Sequence, residues 1–208
     1  LAMTSTSPPI AAVAFDLGNV LVKVDHLRFC RGLAELAGWP PQEIYAAVFQ
    51  SRLETGYDRG RLSSREFHRR LQARFRLDLP FPRFRDLWNE IFDPLEDMQE
   101  VVARLARRYP LYLLSNTNSL HFRYLRERFA SLLKHFRALI LSYRVGSRKP
   151  EAAIFQALLR EAGLPPARIL YIEDNEDFVA AARTHGLTAW IFVSPQDFKE
   201  RLSVAGLW

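Results

Sequence analysis

The feature that most constrains this chain is an alternation that begins after Pro94, in which amphipathic helical stretches are separated by short, wholly apolar runs. Leu111 to Leu114 ends at Ser115-Asn116, Ile169 to Ile172 ends at Glu173-Asp174, and Ala138 to Leu141 and Ala189 to Val193 complete the series. Earlier, Ile10 to Phe15 is another such run, stopping at Asp16-Leu17-Gly18-Asn19. Strands this apolar are buried on both faces, so their alternation with helices predicts an α/β fold, a doubly wound parallel sheet covered on both sides. Ligands of such sheets sit beyond the carboxyl ends of the strands. The polar residues directly after each strand are therefore the candidate site.

Between the first and second of these runs the pattern is only helical. Leu27, Cys30, Leu33 and Leu36 recur at helical spacing until Gly38 and Pro40. Ile44, Tyr45, Val48 and Phe49 form a second stripe, and Ser63 with Glu66 reads as a capping box ahead of Phe67, Leu71 and Phe75. A fourth stripe carries Phe84, Leu87, Trp88 and Ile91. The expected organisation is a core domain from residues 10–24 and 93–208, an inserted helical cap over 25–92, and a flexible leader over 1–9. Tyr57, Asp58 and Arg59 are expected in a polar cap loop facing the site, and Tyr45, Phe49, Phe84 and Trp88 in the helix-bundle core of the cap.

Composition removes several function classes. Hydrophobic residues make up 49% of the chain and charged ones 25%, which excludes intrinsic disorder, and no apolar stretch reaches the ~20 residues of a membrane span. The lone Cys30 can form neither an internal disulfide nor a cysteine zinc site, and no secretory-type apolar segment precedes the first strand, so a reducing cytoplasm is expected. The net charge of +6 comes from arginines scattered along helical stretches, the pattern of solvated faces. No nucleic-acid or membrane partner is expected, and the field suits small anionic substrates. The five histidines lack metal-ligand spacing, and neither a Walker glycine loop nor a Gly-x-Ser-x-Gly elbow is present.

Taken together, the strand-end residues are one carboxylate (Asp16), a hydroxyl and amide pair (Ser115, Asn116), a lysine (Lys149, before Pro150) and a second acidic pair (Glu173, Asp174). Singly, each is an ordinary turn former or cap. Jointly they are what phosphoryl transfer to a carboxylate requires. A carboxylate about 4 Å from a phosphate dianion meets a repulsion on the order of 8 kcal/mol at an effective dielectric near 20. Attack therefore needs positive charge, expected as Mg2+ held by Asp16 and Asp174, with Lys149 neutralising more and Ser115 and the Asn116 amide donating to phosphoryl oxygens.

These residues resemble the haloacid dehalogenase-like hydrolases. Phe15-Asp16-Leu17-Gly18-Asn19-Val20-Leu21 is similar to the family's nucleophile motif, Leu114-Ser115-Asn116-Thr117-Asn118 to its second motif, Gly146-Ser147-Arg148-Lys149-Pro150 to its lysine motif, and Tyr171-Ile172-Glu173-Asp174-Asn175 to its acidic metal motif. The resemblance is greatest to the bacterial alpha-D-glucose-1-phosphate phosphatase branch. It implies Asp16 as nucleophile, Lys149 as a catalytic and phosphate-binding cation, Ser115 and Asn116 as phosphate ligands, and a metal shell of Asp16, Asp174 and the Gly18 carbonyl with Glu173 in support. It further implies a small phosphorylated metabolite as substrate, a sugar phosphate favoured, and a monomer or homodimer.

Two positions depart from the pattern. The family's phosphatases usually place a general acid two residues after the nucleophile, where this chain has Gly18. Its absence favours an acidic leaving oxygen such as that of a sugar 1-phosphate, with Asp25 or a water as substitute donor. An asparagine usual four residues after the metal aspartate is Phe178 here, with Asn175 or Asp177 expected to orient the metal shell instead. Two alternatives stay open: a 2-haloacid dehalogenase using the same aspartate without metal, and a non-catalytic binding protein on the same fold.

Overall fold

A computed structural model describes residues 9–208. The leader expected over 1–9 lies outside the described residues apart from Pro9. The chain opens with strand β1 (Ala12–Phe15) and a short β2 (Val22–Val24). Five helices follow: α1 (His26–Ala37), α2 (Pro41–Phe49), α3 (Arg52–Asp58), α4 (Ser64–Phe75) and α5 (Phe81–Asn89). The chain then returns through β3 (Phe92–Pro94), α6 (Glu96–Leu105), β4 (Leu111–Ser115), α7 (Ser119–Arg128), α8 (Ala130–Leu133), β5 (Phe136–Leu141) and α9 (Ser142–Val145). It finishes with α10 (Ala152–Ala162), a 3-10 turn, β6 (Ile169–Glu173), α11 (Glu176–Thr184), β7 (Thr188–Ile191) and α12 (Pro195–Val204).

The main sheet is parallel, in the order β5-β4-β1-β6-β7. It is the doubly wound sheet that the alternation predicts. Side chains alternate across a strand, so β1 feeds both sides of the sheet. Val13 and Phe15 join one buried cluster with Met98, Leu125 and Phe198, and Ala12 and Ala14 join the other with Ile154, Phe155 and Val179. β1 connects onward to β4 and β5 on one side, whereas β6, on its other side, connects outward to β7, and this reversal of direction beside β1 opens the crevice at the carboxyl ends.

Two short strands escape the sequence reading. β2 and β3 pair antiparallel, Val22 with Pro94 and Val24 with Phe92, and this ribbon carries the chain out to the five helices and back. The helices share an aromatic cluster that is continuous with one side of the main sheet's core: Trp88 lies 4.8 Å from Phe67 and 4.9 Å from Phe29, and Tyr57 stacks on Phe67 at 4.5 Å. Of the four aromatics expected in the bundle core, Phe84 and Trp88 are fully buried there, whereas Tyr45 and Phe49 pack against it only partly buried. Ser63 Oγ accepts the Glu66 amide at 3.1 Å, but the Glu66 carboxylate turns to Arg69 and Arg70, so only half of the capping box forms. Among the described residues no helix is long and apolar enough to cross a membrane.

Candidate active site

The strand-end residues singled out in the sequence converge on one cavity of about 280 Å3. Asp16, Gly18, Ser115, Asn116, Lys149, Glu173 and Asp174 all line it. A larger cavity, about 870 Å3, opens between α4, α5 and α7, but it contains no strand-end residue. Two of its guanidinium groups are occupied: Arg85 pairs with Asp86, and Arg65 lies over Phe81. The strand-end residues are thus gathered in the smaller cavity.

Asp16 is placed by β1, whose fully buried Ala12–Phe15 stops where the chain turns. Asn19 makes that turn at φ 55°, a left-handed conformation that asparagine tolerates, and its Oδ1 accepts the Val24 amide at 3.0 Å. Lys149 Nζ donates to Asp16 Oδ1 at 2.7 Å, to Glu173 Oε2 at 2.6 Å and to Tyr171 Oη at 3.0 Å. Tyr171 Oη in turn donates to Glu173 Oε2 at 2.5 Å. Burial works against the lysine's charge, but Asp16 and Glu173 outweigh it and raise its pKa. Glu173 is also destabilised by burial, yet Lys149 and the Tyr171 hydrogen bond hold it below its usual value. Its other oxygen accepts the Asp174 and Asn175 amides, so Glu173 anchors the lysine and its own loop together.

Asp16 and Asp174 are placed differently. Burial first, and then Glu173, push the Asp16 carboxyl upward against the pull of Lys149. Burial, with Glu173 beside it, raises Asp174 to about 6. Asp16, Glu173 and Asp174 bring one carboxylate oxygen each within 4.8 Å of one another. Three carboxylates facing one ammonium make a hard, oxygen-rich and electrostatically frustrated donor set, which a magnesium-sized cation would relieve. The residues present fit that ion.

The Asn116 side chain has a task that the sequence did not indicate. Its Nδ2 donates to the Lys149 carbonyl at 3.1 Å and its Oδ1 accepts the Lys149 amide at 2.8 Å, so β4 clamps the lysine loop. Phe178 sits where an asparagine was expected, its ring centroid 5.2 Å from Lys149 Nζ. Of the two substitutes, Asn175 lines the cavity and caps α11, whereas Asp177 is exposed and lies outside it. Asp25 is likewise not at the site. Its side chain caps α1 through the Arg28 amide and pairs with Arg31 at 2.8 Å.

The loop expected at Tyr57-Asp58-Arg59 is the end of α3, capped at its start by Ser51 Oγ on the Leu53 amide. Gly56 and a sparse apolar stripe hide this helix in the sequence. Tyr57 belongs to the aromatic core and Arg59 pairs with Glu151, so only Asp58 of the three enters the cavity. Glu54, His26, Asn118, His121 and Arg148 line it too and carry no role in the sequence reading. Asn118 Nδ2 donates to Asp58 Oδ1 at 3.4 Å and meets His121 Nδ1 at 3.1 Å, while His121 Nε2 lies 2.8 Å from the Trp88 carbonyl. Tyr171 left one readable signal, a lone hydroxyl in an apolar strand two residues from Glu173 and hence on the same face.

A sequence model of the family described as haloacid dehalogenase-like hydrolase matches residues 10–186. The D-ribitol-5-phosphate phosphatase of Bacteroides thetaiotaomicron is 23% identical over 94% of this chain and 98% of its own. A crystal structure of a haloacid dehalogenase family enzyme from the same organism, in complex with magnesium and inorganic phosphate, superposes with a TM-score of 0.80 at 22% identity, covering 89% of this chain and 95% of that one. The L-2-haloacid dehalogenase of Xanthobacter autotrophicus, with chloropropionic acid covalently bound, superposes at 0.65 with 20% identity, over 96% of this chain and 84% of that one.

Proposed function

The chain belongs to the haloacid dehalogenase-like hydrolases, and from that premise we propose that it is a magnesium-dependent phosphatase of small phosphorylated metabolites. Sugar and sugar-alcohol phosphates are the favoured class, glucose 1-phosphate among them. The observation that carries this reading is Asp16 at the tip of the central strand, hydrogen-bonded to buried Lys149 and gathered with two further carboxylates in one cavity. The relative named for D-ribitol 5-phosphate and the neighbour crystallised with magnesium and phosphate support the substrate class and the ion. A metal-free dehalogenase has no use for the carboxylate trio, which is why the phosphatase reading is preferred.

In this reading a carboxylate oxygen of Asp16 attacks phosphorus as the bond to the leaving oxygen breaks, leaving an aspartyl phosphate that water hydrolyses. Ser115 Oγ and the Asn116 backbone amide bind the phosphoryl oxygens, and Lys149 spreads positive charge between nucleophile and phosphate. Asp16, Asp174 and the Gly18 carbonyl, with Glu173 in support, would hold magnesium, which would supply the remaining charge that offsets repulsion between carboxylate and dianion. The core is assigned to residues 10–24 and 93–208 and the cap to 25–92, joined at the β2–β3 ribbon.

Asp16→Asn keeps the shape of the side chain and removes the nucleophile. The expected outcome is loss of phosphate release from a sugar-phosphate panel with an unchanged circular dichroism spectrum. A folded Asn variant that releases phosphate at the wild-type rate refutes the assignment.

A further inference from the structure

Gly18 leaves the phosphatase reading without a proton for the leaving group, and the cap supplies a candidate. Glu54 and Asp58 stand one turn apart on α3, hence on one face of that helix, and both line the cavity that holds Asp16, Ser115 and Lys149. The strand ends form the phosphoryl side of that cavity, so the cap residues face the leaving group.

Resting on the phosphatase reading, we propose that Glu54 is the general acid that protonates the leaving oxygen, in place of the side chain Gly18 lacks, and that Asp58 is the positioning residue that keeps this proton on Glu54. The other titratable groups facing the cavity are otherwise engaged. His121 is held between the Trp88 carbonyl and Asn118, and burial pushes it down to about 3. Burial lowers His26 as well, so neither imidazole carries a spare proton at neutral pH. Asp58 is committed as an anion, accepting from Asn118 and lying 3.8 Å from Arg148 Nη2. Glu54 has no hydrogen-bond or ion-pair partner among the described residues. Burial, with the Asp58 charge added and Arg148 opposing, lifts its carboxyl to about 8. Burial raises Asp58 only to about 6, since Arg148 and Asn118 hold it back. Both carboxyls are raised, and because only Asp58 has a hydrogen-bond donor and a guanidinium beside it, the geometry favours the proton on Glu54.

The step balances. As Asp16 forms its bond to phosphorus and the bond to the leaving oxygen breaks, the Glu54 proton passes to that oxygen, giving a neutral alcohol, the aspartyl phosphate and a Glu54 carboxylate. Water then attacks the aspartyl phosphate and gives its proton to Glu54, which restores the acid and releases hydrogen phosphate. With an acid in place the leaving group need not be intrinsically acidic, which admits the primary alcohols of sugar-alcohol phosphates beside sugar 1-phosphates.

The test compares p-nitrophenyl phosphate, whose leaving group needs no proton, with the best alkyl phosphate of a metabolite panel. In Glu54→Gln, kcat/KM for the alkyl phosphate is expected to fall by about 10²–10⁴, and for p-nitrophenyl phosphate by less than about 10-fold. The wild-type profile should lose activity as pH rises through about 8, where Glu54 deprotonates, and the variant should lack that limb. Equal losses on both substrates, or none on the alkyl phosphate, overturn the acid role while leaving the phosphatase reading standing. A wild type that hydrolyses neither substrate sinks both. If the Gln variant does not fold, Asp58→Asn carries the test: removing the neighbouring charge should move the basic limb to lower pH, and an unmoved limb overturns the proposal.

Discussion

His121 is a buried imidazole that gains nothing from being charged. Its Nε2 hydrogen donates to the Trp88 carbonyl at 2.8 Å and its ring stacks on Trp88 at 4.6 Å, while Nδ1 accepts from Asn118, whose other amide hydrogen reaches Asp58. Burial depresses its pKa from 6.5 to about 3. Above pH 6.5 both folded and unfolded chains hold it neutral, and its contribution to stability is complete. As pH falls below 6.5, the unfolded chain takes up a proton that the folded protein refuses until about pH 3, and stability drains by roughly 1.4 kcal/mol per pH unit. Wild type should lose about 2 kcal/mol more than His121→Gln between pH 6 and 4.5 in urea denaturation. Equal losses would mean that the ring is not held neutral. This residue also shows where legibility ends. Asp16, Ser115, Asn116 and Asp174 are legible because each lies at the end of a strand, and a parallel sheet brings strand ends together, whereas Lys149 reaches them from a loop beyond α9 that Asn116 clamps. His121, Asn118 and Glu54 owe their position to the packing of the inserted helices on the core, a contact between segments distant in sequence that no local pattern encodes.

At the level of elements, one place where the inserted helices meet the rest of the chain is the turn from α3 to α4. Gly60 sits in that turn at φ 68°, and a Cβ there would lie 2.3 Å from the Tyr143 carbonyl oxygen in α9. Beside it Arg59 pairs with Glu151, and Ser64 Oγ meets Ser119 Oγ at 3.0 Å, which adds to the Trp88–His121 and Asp58–Asn118 contacts between the inserted helices and the start of α7. Gly38, the C-cap of α1, has the same φ of 68° with nothing within 4 Å of its would-be Cβ. Alanine at Gly38 therefore carries only the left-handed strain of about 1–2 kcal/mol. Alanine at Gly60 adds a clash with backbone that only a displaced cap can relieve. Gly60→Ala should lower stability beyond Gly38→Ala and raise KM for the phosphorylated substrate, with Gly38→Ala leaving KM where it was; equal effects on KM would dissociate this turn from the site. The same elements explain what the sequence concealed. The five strands of the main sheet announce themselves by apolar runs, but β2 and β3 are three residues each and become strands only by pairing with one another. α12 was overlooked although Ser194, Pro195 and Asp197 spell its start, with Ser194 Oγ accepting the Asp197 amide at 3.1 Å.

On the scale of the whole molecule, a chain of net charge +6 concentrates three carboxylates around a single ammonium at the centre of its sheet. The arginines that set the net charge are largely on helix surfaces, several paired with local acids such as Arg69 and Arg70 with Glu66 and Arg31 with Asp25, as the scattered pattern suggested. The fold thus tolerates a repulsive core of the site without relief from the surface field, and a bound divalent cation should stabilise the whole protein. At about 100 times its dissociation constant such an ion adds about 2.7 kcal/mol, which for a chain of this length raises Tm by roughly 5–10 °C. Asp174, raised to about 6 by burial and Glu173, is the member whose charge is least compensated by hydrogen bonds. Asp174→Asn should therefore raise Tm in the presence of chelator and abolish most of the magnesium-induced shift. Thermal melts in magnesium chloride, against sodium chloride of equal ionic strength, separate ion binding from screening of the net charge. A magnesium shift that survives Asp174→Asn intact would place the ion elsewhere and remove the electrostatic basis for the nucleophile's attack.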